Sequence, residues 1–209
     1  MLIQYILMNS KVGISIQNRK IPNDVFYTPK PVALEMIEMC NITPDMSVLD
    51  PCRGTGVFYN NLPECKKDWC EITEGKDFFE YKVHVDLVIS NPPFSIWNKW
   101  LDHTCEITDK FCYLMGAMNL TDSRVRELNA KGFGITAIRC LKVHAWFGHQ
   151  FIILVERNKP SIVTASPKRH YCDDCGKPCG RGRSGNSPNI CYPIKTSKNK
   201  TLVASSTGE

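Results

Sequence analysis

Between residues 28 and 157, short apolar runs alternate with amphipathic segments, and this alternation limits the fold more than any other feature of the chain. Ser47–Asp50, Trp69–Ile72, Val85–Ser90 and Phe111–Met115 read as strands bounded by turn residues. Around them, 28–39, 96–107 and 121–130 carry helical signals, and 54–62 reads as a loop leading into a helix. The first of these helices is expected to start at Thr28-Pro29, with Thr28 as its cap and Val32, Leu34, Ile37 and Met39 on its buried side. In the helix at 96–107, Trp97, Trp100 and Leu101 share one face, and in that at 121–130 Thr121 is the cap and Gly132 the stop. Ile135–Lys142 and Gln150–Glu156 form an expected strand pair joined around Phe147-Gly148. Alternating strands and helices imply an α/β fold with a mainly parallel sheet, to which the closing hairpin adds an antiparallel edge strand. Ligands in such sheets bind beyond the carboxyl ends of the strands.

At one of those ends stands Asn91-Pro92-Pro93-Phe94. Both prolines have a fixed φ and no N–H, and each holds the preceding residue out of the helical region. The backbone there is stiff and its carbonyls are free to accept. The Asn91 side-chain oxygen and the Pro92 carbonyl can take the two hydrogens of one NH2 group. That turns the nitrogen lone pair toward an electrophile, and Phe94 offers a flat face for a ring to stack on. The competing description is a strand that ends in a proline-rich turn.

Asp50-Pro51-Cys52-Arg53-Gly54-Thr55-Gly56 follows the first strand, and its glycines let the backbone approach a ligand closely. Glu71 ends the second strand, where an acidic residue commonly meets a ribose diol. Asp77-Phe78 follows; Asp77 can accept from an adenine amine while Phe78 packs on the ring. Taken singly, Glu71 and Asp77 are better described as surface acids.

In order, these features resemble the amino-methyltransferases that use S-adenosylmethionine. They are most similar to DNA N6-adenine methyltransferases, in particular small solitary ones of the kind found in phages. The resemblance covers roughly residues 25–157. It implies a Rossmann-like methyltransferase fold. It also implies that Asp50, Gly54 and Gly56, supported by Thr28 and Pro29, hold the methionine part of the cofactor. Glu71 would hold the ribose hydroxyls, Asp77 and Phe78 the adenine, and Asn91, Pro92 and Phe94 the target base. The implied reaction is direct methyl transfer to adenine N6 in DNA, with no cysteine nucleophile. RNA adenine, cytosine N4 and a protein glutamine amide are alternative acceptors. Glu71 and Asp77 lie too close together for the usual helix and strand between them, and no stretch is long enough for a target-recognition domain.

The 209 residues carry a net charge of +5 that is unevenly placed. Residues 1–160 hold 18 Lys and Arg against 18 Asp and Glu, whereas residues 161–209 hold 8 against 3. A neutral body with a basic tail suits a polyanionic partner, and the resemblance implies DNA ahead of RNA. The expected division is therefore a methyltransferase domain at 1–160 and a basic cysteine-rich tail at 161–209. Lys159–Lys168 reads as a linker, and the chain beyond Ile194 as disordered. Of the 11 cysteines, Cys40, Cys52, Cys65, Cys70, Cys105, Cys112 and Cys140 read as small core residues. Cys172, Cys175, Cys179 and Cys191 have spacing near that of a zinc knuckle at 170–192, with His170 as a substitute ligand. Such a module would give nucleic-acid affinity to the tail, and a non-catalytic zinc-containing nucleic-acid-binding protein is the reading from another class. The odd thiol count and the missing secretory pattern place the chain in the cytoplasm, and no apolar stretch is long enough to span a membrane. The sequence does not indicate an oligomeric state.

Overall fold

The computed structural model describes residues 26–144 and 146–165, with the backbone of 179–181 and 191–193. Two compact units divide the chain, Arg19–Ala165 and Met1–Asn18 together with Ser166–Glu209. In the second unit, β7 (Cys179–Arg181) and β8 (Cys191–Pro193) pair antiparallel, with Cys179 opposite Pro193 and Arg181 opposite Cys191. Cys172 and Cys175 lie outside the described residues, as do the side chains of Cys179 and Cys191. Among the described residues, no three potential ligand side chains converge on a metal position.

The first unit is built on a six-stranded sheet. Its strands are β1 (Ser47–Asp50), β2 (Lys66–Trp69), β3 (Leu87–Ser90), β4 (Lys110–Gly116), β5 (Phe133–Leu141) and β6 (Gln150–Arg157), in the spatial order β2-β1-β3-β4-β6-β5. The pairs β2/β1, β1/β3 and β3/β4 are parallel, while β6 runs antiparallel to both of its neighbours. The expected antiparallel edge strand is thus corrected. The antiparallel strand is internal, and the edge strand β5 points the same way as β1–β4. Apolarity explains the placement: β6 carries Ile152-Ile153-Leu154-Val155, all buried, whereas Arg139 and Cys140 of β5 are exposed.

Successive residues of the central strands enter two different cores. Leu49, Val88, Phe111, Tyr113 and Ile153 pack on one face with α2 (Trp97–Ile107) and α3 (Asp122–Ala130). Val48, Leu87, Ile89, Cys112, Leu114 and Ile152 pack on the other with α1 (Lys30–Cys40). Both faces are covered, so these strands read as continuous apolar runs. Thr121 caps α3 as expected, accepting from the Arg124 N–H at 3.4 Å. No helix among the described residues is long and apolar enough to cross a membrane.

Several local expectations change. Pro29, not Thr28, is the capping residue of α1, and no side chain caps that end. Its buried side is formed by Ala33, Met36 and Cys40, leaving Leu34 exposed. Strand β2 lies three residues earlier than expected; as an edge strand whose first three residues are charged and exposed, it has no apolar run to betray it. The helix expected within 54–62 is a single 3-10 turn, Tyr59–Asn61, because Gly54 and Gly56 both have positive φ, 51° and 82°. The chain after β6 is no free linker at first: the Ile162 N–H donates to Ile135 O at 2.8 Å, and Val163 and Ala165 pack on the core. Among the cysteines, Cys140 is exposed, and Cys52 and Cys65 are only partly buried.

Candidate active site

In the order β2-β1-β3, the connections from β1 and β3 leave in opposite directions, which opens a crevice at their carboxyl ends. A cavity of about 580 Å3 lies there. Thr28, Gly54, Glu71, Asp77, Phe78 and Asn91 line it, together with Phe26, Tyr27, Ile72, Phe79 and Trp100. Pro29, Asp50, Gly56, Pro92 and Phe94 do not. Asp50 and Pro92 are buried behind the wall, and half-buried Phe94 sits beside Trp97 with ring centroids 6.3 Å apart.

Asp50 ends β1 and is fully buried. The Ser90 hydroxyl, at the end of β3, donates to its Oδ1 at 3.0 Å, and Oδ2 has no hydrogen-bond partner among the described residues. Burial pushes the carboxyl from an ordinary 3.8 up to about 7, against the Ser90 hydrogen bond, which favours the charged form. The Cys52 thiol lies 3.0 Å from Ser90 Oγ and 3.3 Å from the Asn91 carbonyl. Burial drives its pKa upward, so at neutral pH it is a thiol and not a nucleophile.

Asn91 shows an oriented amide. Its Nδ2 donates to the Phe26 carbonyl at 2.9 Å, and its Oδ1 is buried with no hydrogen-bond partner among the described residues. The Phe26 ring in turn meets Trp146, at 5.4 Å between centroids. Three separate segments therefore fix which side of the amide presents its oxygen.

Glu71 joins the two loops on the other side. Its Oε2 accepts from the Gly54 N–H at 2.8 Å, and its Oε1 from the Thr73 hydroxyl at 2.8 Å and N–H at 3.2 Å. Burial opposes the charge, yet the Gly54 N–H, both Thr73 donors and the Arg53 guanidinium together hold the carboxyl below its usual range. Asp77 caps the 3-10 turn Phe78–Glu80, accepting from the Phe79 N–H at 2.9 Å. Phe78 is buried, its ring 4.3 Å from Trp100 and 4.8 Å from His103. Only 3-10 turns lie between β2 and β3, which accounts for the short spacing of Glu71 and Asp77.

Gly56 is required by its positive φ, and a Cβ there would also lie 2.7 Å from Asn60 Nδ2, so the Asn60 side chain would have to turn away. Sequence reasoning missed Ser90, Phe26 and Tyr27. Ser90 looks like the last residue of an apolar strand, and its partner Asp50 is 40 residues away. Phe26 contributes a carbonyl, which no sequence pattern marks.

No protein-family model and no curated protein matches the chain. Solved structures do. A Pyrococcus horikoshii protein proposed to be an RNA methyltransferase is 20% identical, with a TM-score of 0.53 over 71% of this chain and 99% of that one. Methanocaldococcus jannaschii Trm5 in complex with adenosine is 16% identical, with a TM-score of 0.52 over 65% of this chain and 51% of that one. The 23S rRNA methyltransferase ErmE is 13% identical, with a TM-score of 0.50 over 66% of this chain and 72% of that one. At these identities the likeness is one of fold: the chain shares the Rossmann-like α/β architecture of methyltransferase structures.

Proposed function

We propose that this chain transfers a methyl group from S-adenosylmethionine to an exocyclic amine of a nucleobase, adenine N6 in DNA. The observation that carries the proposal is the Asn91 amide, anchored through Nδ2 and left with a buried Oδ1 that has no hydrogen-bond partner among the described residues. An unsatisfied buried acceptor costs roughly 1–3 kcal/mol, which a bound NH2 donor would recover. The site is therefore built in advance for a planar amine.

The residues present also fit the cofactor. Asp50 keeps Oδ2 in a buried position without a full hydrogen bond among the described residues, as a carboxylate that receives an ammonium would. Glu71 is held charged, and its oxygens have lone pairs left for the two ribose hydroxyls. Asp77 and the aromatic wall of Phe78 and Phe79 suit an adenine. The cofactor would supply a methyl group on a positively charged sulfur. The chain's part is to hold the amine in line through Asn91 Oδ1 and the Pro92 carbonyl, with Phe94 as stacking face. Positive charge growing on the nitrogen is then met by two fixed oxygens. The structural likeness to an RNA methyltransferase and to an adenosine complex supports this chemistry. It also makes RNA adenine the second reading.

The test is labelled methyl transfer to mixed DNA and RNA, followed by nucleoside mass spectrometry. N6-methyladenine in DNA is the expected product. Its absence from both pools, with the cofactor bound, refutes the proposal. Asn91→Ala should lower kcat by about a hundredfold or more, as the loss of a preorganised transition-state partner does, while cofactor affinity stays within a few-fold.

A further inference from the structure

The segments at the cavity and those tied to them divide by charge. Residues 70–86, on the cofactor side, contain five acids, Glu71, Glu74, Asp77, Glu80 and Asp86. The segments on the Asn91 side, 91–101, 116–121 and 142–149, contain none. They form one continuous surface. The Ala117 N–H donates to the His149 carbonyl at 2.9 Å, joining the second segment to the third. Arg124 joins the second to the first: it donates to the Asn119 carbonyl at 2.6 Å and lies 5.2 Å from the centre of the Trp97 ring.

This surface is both apolar and cationic. Met118 is 85% exposed, Phe147 54% and Ile96 41%. Lys99 stands 4.0 Å over the Phe79 ring. Arg124 and Lys142 are bonded to main-chain carbonyls, and among the described residues neither forms a direct ion pair, although Glu127 lies close enough to act on Arg124. The backbone at both ends of the turn that presents Phe147 is tied to Gln150, which is buried: it accepts from the Val143 N–H at 2.8 Å and donates to the carbonyls of Phe147 and Gly148. An exposed ring and an exposed thioether chain beside cations make an apolar platform with a phosphate path.

We infer that this surface binds a single, unpaired nucleic-acid strand, whose bases on either side of the target lie on Phe147 and Met118. The inference rests on the proposed nucleobase methylation. Duplex binding is the less suitable fit. Segments of six and eight residues are short for reaching across a groove, and the three cations beside the platform are spaced for a single phosphate path. An unpaired strand also spares the unstacking energy that a base inside a duplex requires.

The full-length chain with labelled S-adenosylmethionine tests this on matched oligonucleotides, single-stranded and duplex, in DNA and RNA. The single strand should give a kcat/KM at least tenfold above the duplex, and the DNA and RNA arms identify the sugar. Phe147→Ala and Met118→Ala should each raise KM for the single strand by about tenfold, as the loss of one stacking contact does, with cofactor affinity retained as proof of folding. Equal or faster transfer to duplex, or an unchanged KM in both variants, overturns the inference and leaves methylation standing. Methylation of a glutamine peptide with none on any nucleic acid overturns both the inference and the underlying reading.

Discussion

Replacing Asp50 by Asn should make the ligand-free protein more stable and the cofactor complex weaker. Asp50 is fully buried, its Oδ1 is held by Ser90, and its Oδ2 has no full hydrogen bond among the described residues, with the Cys52 and Tyr59 N–H groups giving only partial compensation. Burial raises its carboxyl from 3.8 to about 7. Between pH 4 and 7 the native protein keeps a proton that the unfolded chain has released. Native stability therefore falls as pH rises through this window and levels off above it. A carboxyl moved that far costs the native state about 4 kcal/mol at pH 8 and about 2 kcal/mol at pH 5. Asn has the same shape, can accept from Ser90, and never carries the charge. Urea unfolding of the parent and Asp50→Asn should therefore show the variant more stable at pH 8 by up to that amount, with the gap roughly halved at pH 5. Calorimetry on the same samples should show weaker S-adenosylmethionine binding by the variant. A variant no more stable than the parent at pH 8, or an advantage independent of pH, refutes the argument that an incompletely compensated buried charge resides at Asp50.

Gly56→Ala should destabilise the protein by about 1–2 kcal/mol, since the residue adopts a left-handed conformation, and the contact with Asn60 adds to that; thermal unfolding measures it. Gln150→Ala leaves the Val143 N–H without its acceptor and should cost about 1–3 kcal/mol, with faster amide exchange at Val143. If the tail cysteines hold zinc, metal analysis of the purified chain should find one zinc per molecule, lost in the double variant Cys172→Ser/Cys175→Ser. If residues 161–209 supply nucleic-acid affinity, their deletion should weaken DNA binding at moderate salt in a filter-binding assay.

The sheet was legible because its central strands are covered on both faces and so read as plain apolar runs. Strand β2 was not, since an exposed edge strand that begins Lys66-Lys67-Asp68 carries no such signal. The place of β6 inside the sheet was also hidden, because pairing order depends on which of two hairpin strands is the more apolar. In the site, glycines, acids and the Asn91 turn announce their chemistry by residue type. The orientation of Asn91 does not, since it depends on a carbonyl 65 residues away. The packing of Phe78 is hidden for a similar reason: Trp100 and His103 come from a helix that the local sequence around Phe78 cannot anticipate.

The internal position of β6 has a consequence for synthesis. Strand β4 is buried along almost its whole length, yet the strand that covers its far edge is made last, after β5. A growing chain that has reached residue 141 carries an apolar strand with one bare edge, and β5 has no partner to join. Only when residues 150–157 emerge can both pairs form, in a single step of insertion. Until then the nascent chain is open to edge-to-edge association with its neighbours. Substitutions that weaken β6 should therefore lower the yield of soluble protein more than they lower the stability of the molecules that do fold.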